Sequence, residues 1–151
     1  MRRDLLFETD LPHPPATVWQ ALTDPEALSE WLMPVDDFVP VVGRRFRLRA
    51  KPMPGWDGVI DGKVIEADEP HRLACSWKGS RMRATTTVSW TLTALPDGAG
   101  TRLRLDHQGF EGPSGALLAF MHGGGWKRFV TRRLPSHLAA HATDTGQGRT
   151  A

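Results

Sequence analysis

The sequence predicts an α+β domain in which a curved antiparallel sheet wraps around one long C-terminal helix. Three observations carry that expectation. From about Phe46 to Gln108 the chain alternates apolar and polar residues in short runs, the pattern of half-buried strands. From Ser114 to Ala140, Leu117, Leu118, Met121, Trp126, Phe129, Val130 and Leu134 recur at spacings of three and four, which is helical periodicity. A long amphipathic helix after a run of strands must bury its apolar side, and a sheet is the large apolar surface on offer.

The elements follow in order. Arg3–Asp10 sets Leu5 and Phe7 against Asp4 and Glu8, a first strand, and Leu11–Pro15 breaks it. Pro15 or Ala16 opens a helix whose apolar face is Val18, Trp19 and Leu22. Asp24 as N-cap and Pro25 in the first turn start a second, faced by Leu28, Trp31 and Leu32 and ended by Pro34. Phe38–Val42 is apolar, and Gly43 turns the chain. Arg44–Ala50 points Phe46, Leu48 and Ala50 one way and Arg45, Arg47 and Arg49 the other. Val59–Ala67 and Arg72–Lys78 are strands, the latter with Leu73, Cys75 and Trp77 on one face. Met82–Ala94 is expected to be the longest strand, with Val88, Trp90 and Leu92 inward. Pro96–Gly100 makes a hairpin turn into Thr101–Gln108, where Leu103, Leu105 and His107 alternate with charged residues. The first strand is expected to pair with the last. Within the long helix, Gly123–Gly125 implies a bend or a close backbone approach, and Pro135 a kink or stop near Leu134. A domain over residues 1–140 and a disordered tail over 141–151 are expected.

Composition narrows the function classes. A chain of 151 residues is long enough for one real core. A net charge of +2 argues little for nucleic acid or an anionic membrane. The arginines at 45, 47, 49, 81, 83, 102 and 104 read as a solvated face balanced by carboxylates. The single cysteine, Cys75, excludes an internal disulfide and cysteine-rich zinc sites, and fits a reducing compartment. No stretch has the length of a signal peptide core or a membrane span, so a cytoplasmic protein is expected. There is no HExxH and no GxSxG, and GGGWK lacks the spacing of a phosphate loop. Beyond His107 and His122 the histidines look scattered, and no metal is expected.

The segments PATVWQALTDPEALSEWL, EADEPHRLACSW, TTTVSWTLTALPDGAGTRLRLDHQGF and GGGWKRF, in that order, resemble the helix-grip (SRPBCC) superfamily. That superfamily includes the START lipid-transfer domains and the birch-pollen-allergen-like proteins. Within it the sequence is similar, from about Leu5 to Ala140, to bacterial homologues of the activator of heat-shock protein 90 ATPase. The resemblance implies a seven-stranded sheet gripping the last helix, a cavity between them, and two short helices closing one end. Gly125-Trp126 matches a Gly-Trp pair at this place in the family. The extra glycines and Pro135 depart from it.

The inward residues Trp31, Phe46, Leu48, Trp77, Trp90, Leu105, Met121 and Phe129 are the candidate walls of such a cavity. His107, a titratable group on an inward strand face, is a candidate to orient a polar head or to act as acid or base. The function expected is binding of a small apolar or amphipathic molecule, with no cofactor and no assigned catalytic residue. A co-chaperone-like protein-interaction module and a cyclase or hydrolase using the same cavity are the rivals. A protein partner is possible, nucleic acid and membrane insertion are not expected, and the chain is expected to be a monomer or homodimer.

Overall fold

Alternating strands that bury one face need a common surface, and here they find it beneath the C-terminal helix together with the two short helices that follow the first strand. The computed structural model describes residues 2–52, 57–79, 82, 84–111 and 122–141. The elements are β1 (Arg2–Leu11), α1 (Pro15–Thr23), α2 (Pro25–Trp31), β2 (Val35–Asp36), β3 (Arg45–Arg49), β4 (Val59–Asp68), β5 (Arg72–Gly79), β6 (Thr86–Ala94) and β7 (Thr101–Glu111). A final helix, α3, covers residues 122–141. All seven strands form one antiparallel sheet in the order β1-β7-β6-β5-β4-β3-β2. The first strand pairs with the last, from Leu11↔Thr101 to Arg2↔Glu111. The Asp24 carboxylate caps α2 by accepting from the Ala27 N–H at 3.3 Å, with Pro25 in the first turn.

Two strand boundaries differ from the sequence reading by more than one residue. β6 starts at Thr86 rather than Met82, whose N–H is taken by the Gly79 carbonyl at 3.1 Å and not by a neighbouring strand. The longest strand is instead β7, at 11 residues. It runs past Gln108 through a bulge in which Gln108 and Gly109 together face Asp4. Gly109 takes a φ of 104° there, and its N–H donates to the Asp4 carboxylate at 3.0 Å.

Four of the outward arginines of β3 and β7 are paired with carboxylates. Arg47 meets Asp61, Arg49 meets Asp36, Arg102 meets Asp10 and Arg104 meets Asp106, at 2.6–2.9 Å. Exposed pairs of this kind add little stability each, but they neutralise the face. Arg81 and Arg83 lie outside the described residues. No helix among the described residues is long and apolar enough to cross a membrane.

The buried face of α3 consists of Trp126, Val130, Leu134 and Leu138, spaced four apart. In a regular α-helix each step of four overshoots one turn by about 40°, so this row would wind away from the sheet. A π-helical turn at Phe129–Arg133, in which the Leu134 N–H bonds the Phe129 carbonyl, absorbs the excess. Pro135 follows that wide turn directly. The expected kink or stop is therefore a local widening, and the helix continues to residue 141. His141, placed in the tail by sequence, is its last described residue, and 142–151 lie outside the described set. So does 112–121, which includes Ser114, Leu117, Leu118 and Met121.

The glycine run proves open rather than crowded. A Cβ on Gly124 would have nothing within 4 Å, and one on Gly125 only the Phe129 ring at 3.9 Å. Among the described residues nothing approaches these glycines more closely than ordinary contact, the nearest being the Leu5 side chain, 3.6 Å from a Cβ on Gly123, so the run stands as an entropic cost. Gly124→Ala should raise stability by about 1 kcal/mol in urea unfolding. A loss of similar size would mean that something covers this turn.

Candidate functional site

Three strands and three helices converge on one small apolar void of about 40 Å³. Register builds its floor. Leu73 lies opposite Trp90 and Cys75 opposite Val88 across β5 and β6, so all four side chains emerge on the same face. Phe46 and Leu48 of β3 and Trp77 of β5 extend that floor. Leu22, Leu28, Trp31 and Leu32 of the short helical region close one side, with Phe38, and Trp126 of α3 forms the roof.

Indole rings dominate the wall, and the N–H groups of Trp31, Trp77 and Trp126 are engaged with other parts of the fold. The Trp31 Nε1–H donates to the Ala21 carbonyl at 2.8 Å, which locks α1 to α2. Trp31 meets Trp90 edge-on at 6.0 Å, Trp90 meets Trp126 edge-on at 5.6 Å, and Trp126 lies 5.1 Å from Trp77. Cys75 supplies the lining's one thiol. Burial pushes its pKa up to about 12, so it faces the void as a neutral, weakly polar group.

The roof is fixed by a chain of hydrogen bonds through His107. The Trp126 Nε1–H donates to His107 Nδ1 at 2.9 Å. That bond leaves the proton on Nε2, which points to the Thr86 hydroxyl at 2.7 Å. The Thr86 hydroxyl in turn donates to the Trp77 carbonyl at 2.7 Å. His107 is 0% exposed. Burial pushes its pKa well below the ordinary 6.5, to about 3, and the charge of a protonated His122 works in the same direction. His122 is a neighbour at 5.3 Å between ring centres, and it accepts from the Trp77 Nε1–H at 3.2 Å. Both His107 nitrogens are thus occupied, and the ring is a neutral brace rather than a free acid or base.

The nine site residues named from sequence divide accordingly. Trp31, Phe46, Leu48, Trp77 and Trp90 line the void. Leu105 and His107 are buried on the same sheet face but outside the lining, with His107 beyond the indole of Trp126. Phe129 packs beside Trp126 at 6.0 Å, half-buried, and does not line it. Met121 lies outside the described residues. Leu22, Leu28, Leu32, Phe38, Leu73, Cys75, Val88 and Trp126 complete the lining. Nearly all of them are visible as inward positions in the sequence. Alternation tells which face a residue takes, not how far along the curved sheet the helix crosses.

The histidines are also less scattered than their positions suggest. His137 and His141, one turn apart on α3, both reach Glu30 on α2.

A seven-stranded antiparallel sheet closed on a C-terminal helix, with two short helices after the first strand, defines a helix-grip protein. The chain belongs to the family described as activator of Hsp90 ATPase homologue 1-like proteins, whose model matches residues 12–139. It is similar to protein MLL2253 from Mesorhizobium loti, with 32% identity and a TM-score of 0.80, over 91% of this chain and 98% of that one. Two further structures share the fold. CalU16 from Micromonospora echinospora is 22% identical with a TM-score of 0.73, over 89% of this chain and 73% of its own. An HSP90 activator from Plasmodium falciparum is 20% identical with a TM-score of 0.67, over 85% and 91%. Among curated proteins, none matches the chain.

The His107 brace makes a pH prediction. An unfolded histidine takes up its proton near pH 6.5, whereas the folded one resists to about 3. The stability it contributes is complete above pH 6.5 and is lost as pH falls toward 3, at about 1.4 kcal/mol per unit. Urea unfolding between pH 7 and pH 4 should show that slope added to any carboxylate contribution. His107→Gln should flatten the profile by that amount, and parallel profiles would refute a neutral buried His107.

Proposed function

We propose that this protein binds a small amphipathic molecule by inserting the molecule's apolar end between the sheet and α3. The observation that carries the reading is the void at the meeting point of the elements, walled by Leu, Val, Phe and Trp side chains. Apolar concave sites with few polar groups are the usual form of small-molecule pockets. The size sets a limit. About 40 Å³ is far below the roughly 300 Å³ of a site that encloses a whole ligand. The void therefore receives a methyl-sized or short-chain end while the polar remainder stays outside, or it widens as α3 shifts.

Among the described lining residues there is no carboxylate and no imidazole, and His107 is engaged at both nitrogens. That favours binding over acid–base catalysis in this void. The co-chaperone reading rests on the family description and on the name of the Plasmodium falciparum neighbour.

Four of the six tryptophans border the void, so intrinsic emission should report its occupancy. A medium-chain aliphatic alcohol added to the protein is expected to change Trp emission saturably. Cys75→Met should place its extra atoms in the void with the melting temperature held within a few degrees. The same change should weaken the alcohol at least tenfold, about 1.4 kcal/mol. Undiminished binding in that variant, or co-purification of a protein with no emission change in the parent, would sink the reading.

A further inference from the structure

We propose that Glu30, His137 and His141 form a binding site for a divalent transition-metal ion of the zinc class, joining α2 to the end of α3. The three side chains come from positions 107 and 111 residues apart, and nothing in the ligand-binding reading uses them. His137 and His141 stand four apart on one helix, so their imidazoles project from the same face, with ring centres 4.3 Å apart. Glu30, near the end of α2, turns its carboxylate toward both. Its Oε2 lies 3.2 Å from His137 Nδ1 and 2.9 Å from His141 Nε2. One donor atom from each residue can be chosen so that all three lie within 4.8 Å of one another.

Those separations suit an ion as well as they suit the 2.9 Å hydrogen bond that His141 Nε2 makes with Glu30 Oε2 without one. Donors held about 2.0–2.1 Å from a tetrahedral zinc stand roughly 3.3 Å apart, so two of the three edges are close to formed. The His137 side chain is only 8% exposed, yet its Nδ1 faces the carboxylate with no hydrogen-bond partner. A buried nitrogen left in that condition is costly unless something else satisfies it, and a metal ion would. Two imidazoles and one carboxylate are a donor set of borderline hardness, which suits zinc and disfavours calcium or magnesium. Glu30 and His141 are about half exposed, so the remaining coordination position is open to water.

The surroundings hold Glu30 in place. The Arg133 guanidinium donates to the Glu30 main-chain carbonyl at 2.9 Å, which fixes the end of α2 against α3 without occupying the carboxylate. The π turn at Phe129–Arg133 sets the rotation of the helix beyond it, and with it the direction in which His137 and His141 project.

The experiment is a zinc titration of the full chain, freed of any affinity tag and treated with chelator, followed by calorimetry. Binding is expected at one ion per chain with a micromolar or tighter Kd, and with a rise in melting temperature. His141→Ala, at an exposed position that should not affect folding, is expected to weaken zinc at least tenfold. Glu30→Gln and His137→Gln should do the same, with circular dichroism confirming the fold of each. Cobalt in place of zinc should give visible absorption bands that His141→Ala abolishes. Absence of a one-to-one zinc event in the parent chain would overturn the site. So would a Kd within threefold of the parent's in folded His141→Ala, since the ion would then sit elsewhere.

Discussion

The Trp126–His107 hydrogen bond is the constraint on which the arrangement of helix and sheet depends. Apolar burial alone would hold α3 against the sheet in many rotations and offsets, because dispersion and the hydrophobic effect have little direction. A buried imidazole cannot be so indifferent. Its two nitrogens require a donor on one side and an acceptor on the other, and leaving either unmet costs more than making the bond gains. Trp126 supplies the donor from the helix, and Thr86, tied back to the Trp77 carbonyl, supplies the acceptor from the sheet. The roof of the void is thereby registered against its floor.

That arrangement explains why the polar residue most suggestive of chemistry in the sequence is unavailable for it. An inward histidine on a strand invites an acid–base role. Here the same inward position places it beneath the helix, where both its nitrogens are consumed in positioning an aromatic side chain. The void itself is then bordered almost wholly by hydrocarbon and indole, and what it can distinguish is shape and apolarity. The family contains this architecture, but the chemistry at the void follows from these particular side chains and not from the fold.

Much of the fold was legible because its signals are local. Alternation at Arg45–Arg49 and Thr101–Gln108 assigns faces directly, and Asp24-Pro25 announces a helix start through capping and a preset φ. What stayed hidden depends on distance. Leu105 and Trp90 lie opposite each other on adjacent strands and face the same way, yet only Trp90 reaches the void, because the void is walled by β3, β5 and β6 and β7 lies one strand further out. The meeting of Glu30 with His141 is separated by 111 residues of chain and has no motif. The glycines at 123–125 misled for the opposite reason: glycine marks a possible close approach, but whether its neighbours are at ordinary contact distance leaves no trace in the sequence.

The wide turn at Phe129–Arg133 gives α3 a phase. Upstream of it Trp126 is set by His107, and downstream Leu138 is set by the core and His137 by Glu30. One residue removed within the turn would let the helix relax to regular geometry with its two ends still in phase: eleven regular steps from Trp126 bring Leu138 about 20° past three turns, where twelve would carry it about 120° past. A second residue lost there, with no wide turn left to absorb it, would turn everything after it by about 100°, taking Leu138 out of the core and His137 and His141 away from α2. The chain thus reads like a screw whose two ends were cut separately and joined with one residue of slack.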